Sequence, residues 1–308
     1  VNHPKDCNLL LAEYDRHHPV RHSVEKLHFT GTGKHDVYNI TAPFHDGSKL
    51  YIAGRVETRK SEDSIVAFFQ KDGRFWRLDE RLPVLPLQDP FVTRINGRIV
   101  VGGVSVYKTG TMTRTWRMVF YTGESLQSLR PFFQGPKGMK DVRMMQLPDR
   151  RMVILTRPQL GHAGRGKIGW CIVNRLDELS DRRLIDAPLF QGQFSSDEWG
   201  GANDLHLLRN GRIGVLGHIA EFDGKGFRHY YAMLFTFDIR TGRHTPMEII
   251  ATRKDFLPGP AKRPDLKDIV FSGGAVRSGK NLILFAGTSD VEAQMLVMDD
   301  PFLKYETG

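Results

Sequence analysis

Short apolar runs alternate with polar positions along most of the chain, and one unit keeps returning: a Gly-containing or Asp/Asn-containing turn with a basic residue, then a strongly apolar strand. It reads His45-Asp46-Gly47-Ser48-Lys49-Leu50-Tyr51-Ile52-Ala53-Gly54, then Ile95-Asn96-Gly97-Arg98-Ile99-Val100-Val101-Gly102. It returns as Pro148-Asp149-Arg150-Arg151-Met152-Val153-Ile154-Leu155, as Arg209-Asn210-Gly211-Arg212-Ile213-Gly214-Val215-Leu216, and as Arg277-Ser278-Gly279-Lys280-Asn281-Leu282-Ile283-Leu284-Phe285. Asn-Gly, Asp-Gly and Ser-Gly suit hairpin turns because both partners tolerate positive φ. A further strand follows each marker, over residues 65–70, 116–122, 167–173, 230–238 and 293–298. Helical signals are scarce. Residues 176–182 make the best short helix, and residues 1–21 read as irregular or weakly helical. Markers every fifty to seventy residues or so match the repeat length of propeller blades. The pattern therefore predicts an all-β, five-bladed β-propeller. A pair of β-sandwiches is the alternative, but it would not place one marker per blade length.

Propeller geometry makes polar residues on the innermost strands conspicuous, because those strands line the central channel. They fall at Tyr38-Asn39-Ile40, Gln88-Asp89-Pro90, Lys140-Asp141-Val142-Arg143, Gly201-Ala202-Asn203-Asp204 and Phe271-Ser272-Gly273-Gly274. Asn39, Asp89, Asp141, Arg143 and Asn203 are thereby expected near one axis, with Gly273 and Gly274 leaving room for a ligand. Pro90 fixes its own φ near −65° and is expected to hold Asp89 in extended geometry. Amides, carboxylates and arginines together suit a sugar and an anion.

Composition narrows the classes. Hydrophobic residues at 40% and charged residues at 26% describe a globular chain able to bury a core. No apolar run is long enough for a membrane-spanning helix. The first sixteen or so residues are polar and lack the apolar centre of a secretory signal. Two cysteines, Cys7 and Cys171, cannot form a disulfide framework, and their spacing suggests no metal site. Asn39-Ile40-Thr41 is a glycosylation sequon that would fall in the channel mouth, so a cytoplasmic location is expected. A net charge of +9 with pI near 9.6 fits an anionic partner. The basic residues are spread, without the aromatic-basic platform of a nucleic-acid module, so neither nucleic acid nor membrane is expected as a partner.

At the channel residues the chain resembles two related families. Glycoside hydrolase family 130, five-bladed propeller phosphorylases of β-mannosides, is matched by Asp89-Pro90, Lys140-Asp141, Arg157-Pro158, His218-Ile219 and Gly287-Thr288-Ser289-Asp290. Glycosyltransferase family 108, the mannosyltransferase/phosphorylases of β-1,2-mannan (mannogen) metabolism, is resembled over residues 36–302. The phrases include Asp36-Val37-Tyr38-Asn39-Ile40-Thr41-Ala42-Pro43, Gly135-Pro136-Lys137-Gly138-Met139-Lys140-Asp141, Glu198-Trp199-Gly200-Gly201-Ala202-Asn203 and Arg228-His229-Tyr230-Tyr231-Ala232-Met233. Each is weak alone; in this order they are specific. One departure is Glu198, which stands near a position where family 130 uses a phosphate-binding lysine.

The resemblance implies an enzyme that transfers β-1,2-linked mannose with inversion, by phosphorolysis to α-mannose 1-phosphate, by synthesis from GDP-mannose or mannose 1-phosphate, or both. It implies a lead-in over residues 1–35 and a catalytic propeller over residues 36–308. Asp89 is the implied proton-transfer residue. Asn39, Arg55, Asp141, Asn203, Asp204 and Asp290 are the implied sugar-binding set. Arg143, Arg157, Lys167, His218 and Lys262 are the implied phosphate ligands. No metal or cofactor is called for, since phosphate is already a competent nucleophile and arginines can replace a cation at the leaving group. The implied partners are mannose, β-1,2-mannan oligosaccharides, and phosphate or a sugar nucleotide. Two rival readings stand beside this one: a propeller that binds carbohydrate without catalysis, and an inverting β-mannosidase, for which Asp141 would have to be the second carboxylate.

Overall fold

A computed structural model describes residues 4–109, 113–159 and 161–306. Helix α1 (Cys7–His17) opens the chain, followed by β1 (Arg21–Lys26). A six-stranded sheet then takes β2 (His28–Thr30), β3 (Asp36–Tyr38), β4 (Phe44–Asp46), β5 (Lys49–Glu57), β6 (Ile65–Asp72) and β7 (Phe75–Leu78). A four-stranded sheet follows with β8 (Gln88–Ile95), β9 (Arg98–Thr109), β10 (Thr113–Gly123) and β11 (Arg130–Gln134), then a three-stranded one with β12 (Arg143–Gln146), β13 (Met152–Thr156) and β14 (Gly169–Val173). After α2 (Asp181–Ile185) come β15 (Trp199–Leu207), β16 (Ile213–Phe222), β17 (Arg228–Phe237) and β18 (Glu248–Ala251). The last strands are β19 (Asp268–Ser278), β20 (Asn281–Thr288) and β21 (Glu292–Asp299). A two-residue parallel pairing of β17 with β19 joins these last two groups into one eight-stranded sheet, which β1 completes beside β21. The described chain is all-β with little helix, as the pattern predicts.

The turn markers sit where expected. Gly47, Gly97, Gly211 and Gly279 have φ of 58°, 78°, 79° and 62°, and Arg150 takes the left-handed place at 71° in the one marker without glycine. Between consecutive groups the apolar faces make continuous cores. Phe91 and Phe120 pack with Met144 and Ile154, and Val215 and Phe235 with Val153 and Phe190. Val37 and Ile52 of the first sheet pack with Phe285 and Ala293 of the last, so the series closes on itself.

The segment before residue 36 is more ordered than its pattern suggests. Asp6 caps α1, accepting a bond from the Leu9 N–H (2.9 Å). Cys7, Leu10 and Tyr14 form the buried stripe, at helical spacing. Tyr14 donates to Asp255 (2.6 Å) and the Cys7 N–H to Glu198 (2.5 Å), so two sequence-distant carboxylates pin the helix to the sheet. The short helix read at 176–182 is present as a 3₁₀ turn over Leu176–Glu178 followed by α2.

Gly273 and Gly274 do not open space for a ligand. A Cβ on Gly273 would lie 1.5 Å from the Ile40 carbonyl oxygen, and one on Gly274, at φ 158°, 2.9 Å from the Ala42 N. The first sheet's backbone fills the space instead. Gly273→Ala is therefore expected to lower stability by about 1–3 kcal/mol or more, read as a fall in the urea midpoint.

Candidate active site

Three non-glycine residues at the inner edge take left-handed backbone: Asn39 (φ 44°), Asp89 (49°) and Asp141 (56°). Asn and Asp adopt that region more readily than other residues, at a cost on the order of 1–3 kcal/mol each. Asp89 is thus not held extended by Pro90. The pairing of β8 with β9 slips between Gln88 and Phe91, a bulge that turns Asp89 out of the ladder where Pro90 has no N–H to contribute. The same slip recurs between Ala202 and Asp204 in β15 and between Ser272 and Gly274 in β19.

Asp89 lies at a cavity of about 520 Å³. Its Oδ1 accepts from Asn39 Nδ2 (2.8 Å) and Arg55 Nη1 (3.1 Å), and its side chain keeps 15% exposure. Arg55 is buried over the Tyr38 ring and donates to Glu57 (2.9 Å) and Ser64 (2.9 Å). Glu57 also accepts from the Tyr38 and Ser64 hydroxyls and from Lys262. This network fixes where Arg55 points, and Arg55 in turn fixes Asp89. Tyr38 is fully buried beneath Arg55 and offers no face to a sugar.

Asp290 faces the same cavity and makes no hydrogen bond within the described residues. Burial pushes its pKa up to about 6; Arg55 draws it down and Asp89 pushes it further up. An acid with a raised folded pKa holds its proton more tightly when folded, so its ionisation destabilises the fold as pH rises from about 4 through about 6. Asp290→Asn should flatten the fall in Tm across that window and leave the variant more stable than the parent above pH 6 or so. Thermal unfolding at a series of pH values checks this; an unchanged slope would assign the proton elsewhere.

A second bonded set centres on Asp141. Its Oδ2 accepts from Arg157 (2.9 Å) and lies 3.9 Å from His218 Nε2, while Arg143 stands 3.8 Å from Oδ1. Burial alone would raise its pKa, but Arg157, His218 and Arg143 together hold it down to about 2. Burial drives His218 down to about 3, so the ring is neutral at ordinary pH. Its Nδ1 meets Asn203 Oδ1 at 2.8 Å and the ring stacks on Tyr230. Beside them, burial followed by repulsion from Arg157 lowers the pKa of Lys140, an ammonium with no hydrogen-bond or ion-pair partner among the described residues.

Of the residues singled out from sequence, Asn39, Arg55, Asp89, Asp141, His218 and Asp290 line the central cavity. Arg157 lines a neighbouring one. Five others do not. Arg143 is buried behind Asp141, bonded to the Asn203 and Val142 carbonyls. Asn203 positions His218 rather than reaching the cavity. Asp204 points off the bulge and accepts from the Leu205 and Ala275 N–H groups. Lys167 lines neither cavity, and Lys262 is spent on Glu57 and Glu62 (3.1 Å). Lys140, Arg228 and Tyr230, given no role from sequence, line both cavities. Glu198 gives its oxygens to the Cys7 and Ser195 N–H groups; with Cys7 and Glu221 it forms the one cluster of metal-ligand type among the described residues, at the foot of α1.

A family profile described as "Protein of unknown function (DUF1861)" matches residues 13–304. A mannose phosphorylase from Leishmania mexicana (MPT-4), solved with phosphate ion, is 32% identical, with 97% of this chain and 95% of that one covered and a TM-score of 0.89. The chain belongs to this family. A GDP-Man-dependent mannosyltransferase from the same organism (MPT-1) is 31% identical over 98% of this chain and 96% of its own, with a TM-score of 0.88. These likenesses bear out the resemblance to glycosyltransferase family 108, and the family member described here is an enzyme of the glycosyltransferase and phosphorylase class. A β-1,2-mannobiose phosphorylase from Listeria innocua shares the fold at 15% identity, with 94% of each chain covered and a TM-score of 0.62. No curated protein sequence matches the chain. Among the described residues no helix is long and apolar enough to cross a membrane.

Proposed function

We propose that the chain transfers β-1,2-linked mannose with inversion, using phosphate as nucleophile or an α-phosphorylated mannose as donor, in a five-bladed propeller spanning residues 36–308. One observation carries this reading: a single cavity holds Asp89, anchored by Asn39 and Arg55, together with Lys140, which has no hydrogen-bond or ion-pair partner among the described residues. Asp89 gives its proton to the departing sugar oxygen, directly or through a neighbouring hydroxyl. A phosphate oxygen forms the new bond to C1 as the glycosidic bond breaks, leaving α-mannose 1-phosphate. In synthesis the same steps run backwards, and Asp89 takes up the acceptor's proton.

Lys140 and Arg157 supply the positive charge for phosphate. Neutral His218 gives its one proton to Asn203 Oδ1 through Nδ1, so its Nε2 is an acceptor and takes a hydrogen bond from a protonated phosphate oxygen. Asn39, Arg55 and Asp290 read the sugar hydroxyls. The likeness to a mannose phosphorylase solved with phosphate and to a GDP-Man-dependent mannosyltransferase supports mannose as the sugar. The β-1,2 linkage leans on the mannobiose phosphorylase of the same fold. An inverting hydrolase needs a base for its water. Asp141, held down to about 2 by its cations, makes a poor one. This chemistry draws on no cofactor. A reducing, cytoplasmic setting fits the unpaired Cys7 and Cys171 and the burial of Asn39, which leaves its sequon no room for a glycan.

The test is incubation with β-1,2-mannobiose and either α-mannose 1-phosphate or GDP-mannose. Longer oligomers are expected. No extension with either donor removes the transferase reading, binding without turnover favours a carbohydrate-binding propeller, and free mannose without phosphate favours a mannosidase.

A further inference from the structure

Helix α1 stands before the first sheet, yet one of its bonds reaches the active site through a single side chain. Glu198 is buried and lines neither cavity. Its Oε1 accepts from the Cys7 N–H (2.5 Å) and its Oε2 from the Ser195 N–H (2.9 Å). Cys7 opens α1, so its N–H has no partner within the helix, and a carboxylate is favoured there. Leu10 of α1 packs in the same core as Phe194, Tyr231 and Met233, which seats the helix against this part of the sheet.

The three residues after Glu198 carry the anion side of the site. The Trp199 indole N–H donates to the Tyr230 hydroxyl (3.0 Å), and the Tyr230 ring stacks on His218. The Gly200 carbonyl accepts from Arg157 Nε (2.7 Å). Gly201 pairs with His218 across the β15–β16 ladder. A Cβ on Gly201 would lie 2.7 Å from Asp141 Oδ2, 3.0 Å from the His218 ring and 3.1 Å from the Arg157 side chain, so this backbone touches all three. Groups packed this closely pass on a displacement of the strand instead of absorbing it.

We propose that Glu198 is a positioning residue for phosphate: through it α1 fixes the start of β15, and β15 sets Arg157, His218 and Tyr230 around the anion. This rests on the sugar-transfer reading above and adds the N-terminal helix to machinery otherwise confined to residues 36–308. The sugar side has a separate support. Asn39, Arg55 and Asp89 are held by one another and by Glu57, in the first two sheets. Loss of the Glu198 brace therefore reaches phosphate and spares the mannoside.

Calorimetry on the full chain with inorganic phosphate and with β-1,2-mannobiose, beside a thermal melt, tests it. Glu198→Gln keeps the volume but turns its amide N–H₂ toward one of the two N–H donors, so one backbone bond is lost. Glu198→Asp keeps the charge but is one methylene too short to span both donors. With either variant phosphate affinity is expected to fall about tenfold, short of the ~10²-fold that a 1 Å misplacement can cost, while mannobiose affinity is unchanged. Tyr14→Phe is the comparison. It removes the bond to Asp255 (2.6 Å) at the other end of α1, and should lower Tm without moving either affinity. Glu198 variants that melt lower but keep the parent's phosphate affinity make the bond merely structural and overturn the proposal. So does a loss shared equally by phosphate and mannobiose, a loss that Tyr14→Phe reproduces, or a parent that binds no phosphate. Failure of the transfer reading shows separately, as a parent that extends no oligomer with either donor.

Discussion

Asp89→Asn is expected to lower turnover by about 10²–10⁴-fold, the span that general acid–base catalysis contributes. The substitution isolates the proton. Asn tolerates the left-handed backbone that Asp89 adopts at φ 49°. Its amide oxygen can still accept from Asn39 Nδ2 and Arg55 Nη1, and Arg55 keeps Glu57 as its counter-ion. Tm should therefore stay near the parent's while both donor reactions collapse together, since each needs a proton moved at the acceptor oxygen. Rates with α-mannose 1-phosphate and with GDP-mannose, measured beside a thermal melt, check it. Turnover close to the parent's with either donor would take Asp89 out of the reaction.

The largest stability effect is expected from Asp141→Asn. Asp141 is buried with Arg157, Arg143 and His218 around it, and removing its charge leaves two buried guanidinium groups without a carboxylate. Breaking a buried pair in this way costs about 3–5 kcal/mol. Asn again suits the backbone, here at φ 56°, so the loss reports charge and not strain. The pH dependence follows from the sign of the shift. A carboxyl held down to about 2 stabilises the fold above the unfolded pKa near 3.8, and that contribution disappears as pH falls through about 2. Urea unfolding of both proteins at neutral and acidic pH should show the gap narrowing as the parent's carboxylate is protonated. A gap that stays constant with pH would mean that shape rather than charge carries the site.

What could be read from the sequence was local or repeated. Turn markers such as Asn96-Gly97 and Asn210-Gly211 announce positive φ through residue type alone, and each fixes the register of the strand after it. Asn39, Asp89 and Asp141 were findable because each interrupts an otherwise apolar inner edge at the same point of the repeat. Even so, Asp89 was expected extended, since a preceding-proline rule cannot register a bulge that exists only once β8 pairs with β9. Helix α1 was read only as a weakly helical stretch for a related reason. The run Leu9-Leu10-Leu11 blurs its stripe, and the carboxylates that pin it to the rest of the fold, Glu198 and Asp255, lie far away in sequence.

The cations show where sequence stops. Lys167, Lys262, Arg143, Arg157 and Lys140 are equally basic on paper, and no spacing rule separates a phosphate ligand from a buried ion pair. Lys262 is occupied because Glu57, some two hundred residues earlier, comes within bonding distance when the ring closes. Arg143 is occupied because the bulge in β15 delivers the Asn203 carbonyl to it. Lys140 is left without a hydrogen-bond or ion-pair partner among the described residues, while Arg157, beside it, takes the Asp141 oxygen. The sequence by itself determined the all-β pattern and the turns, and marked Asp89 as a carboxylate on an inner strand, because turn chemistry and alternation act between near neighbours. Which charges are spent and which stay open was decided only in the tertiary structure, because pairing is a contest among groups that meet once the chain has folded.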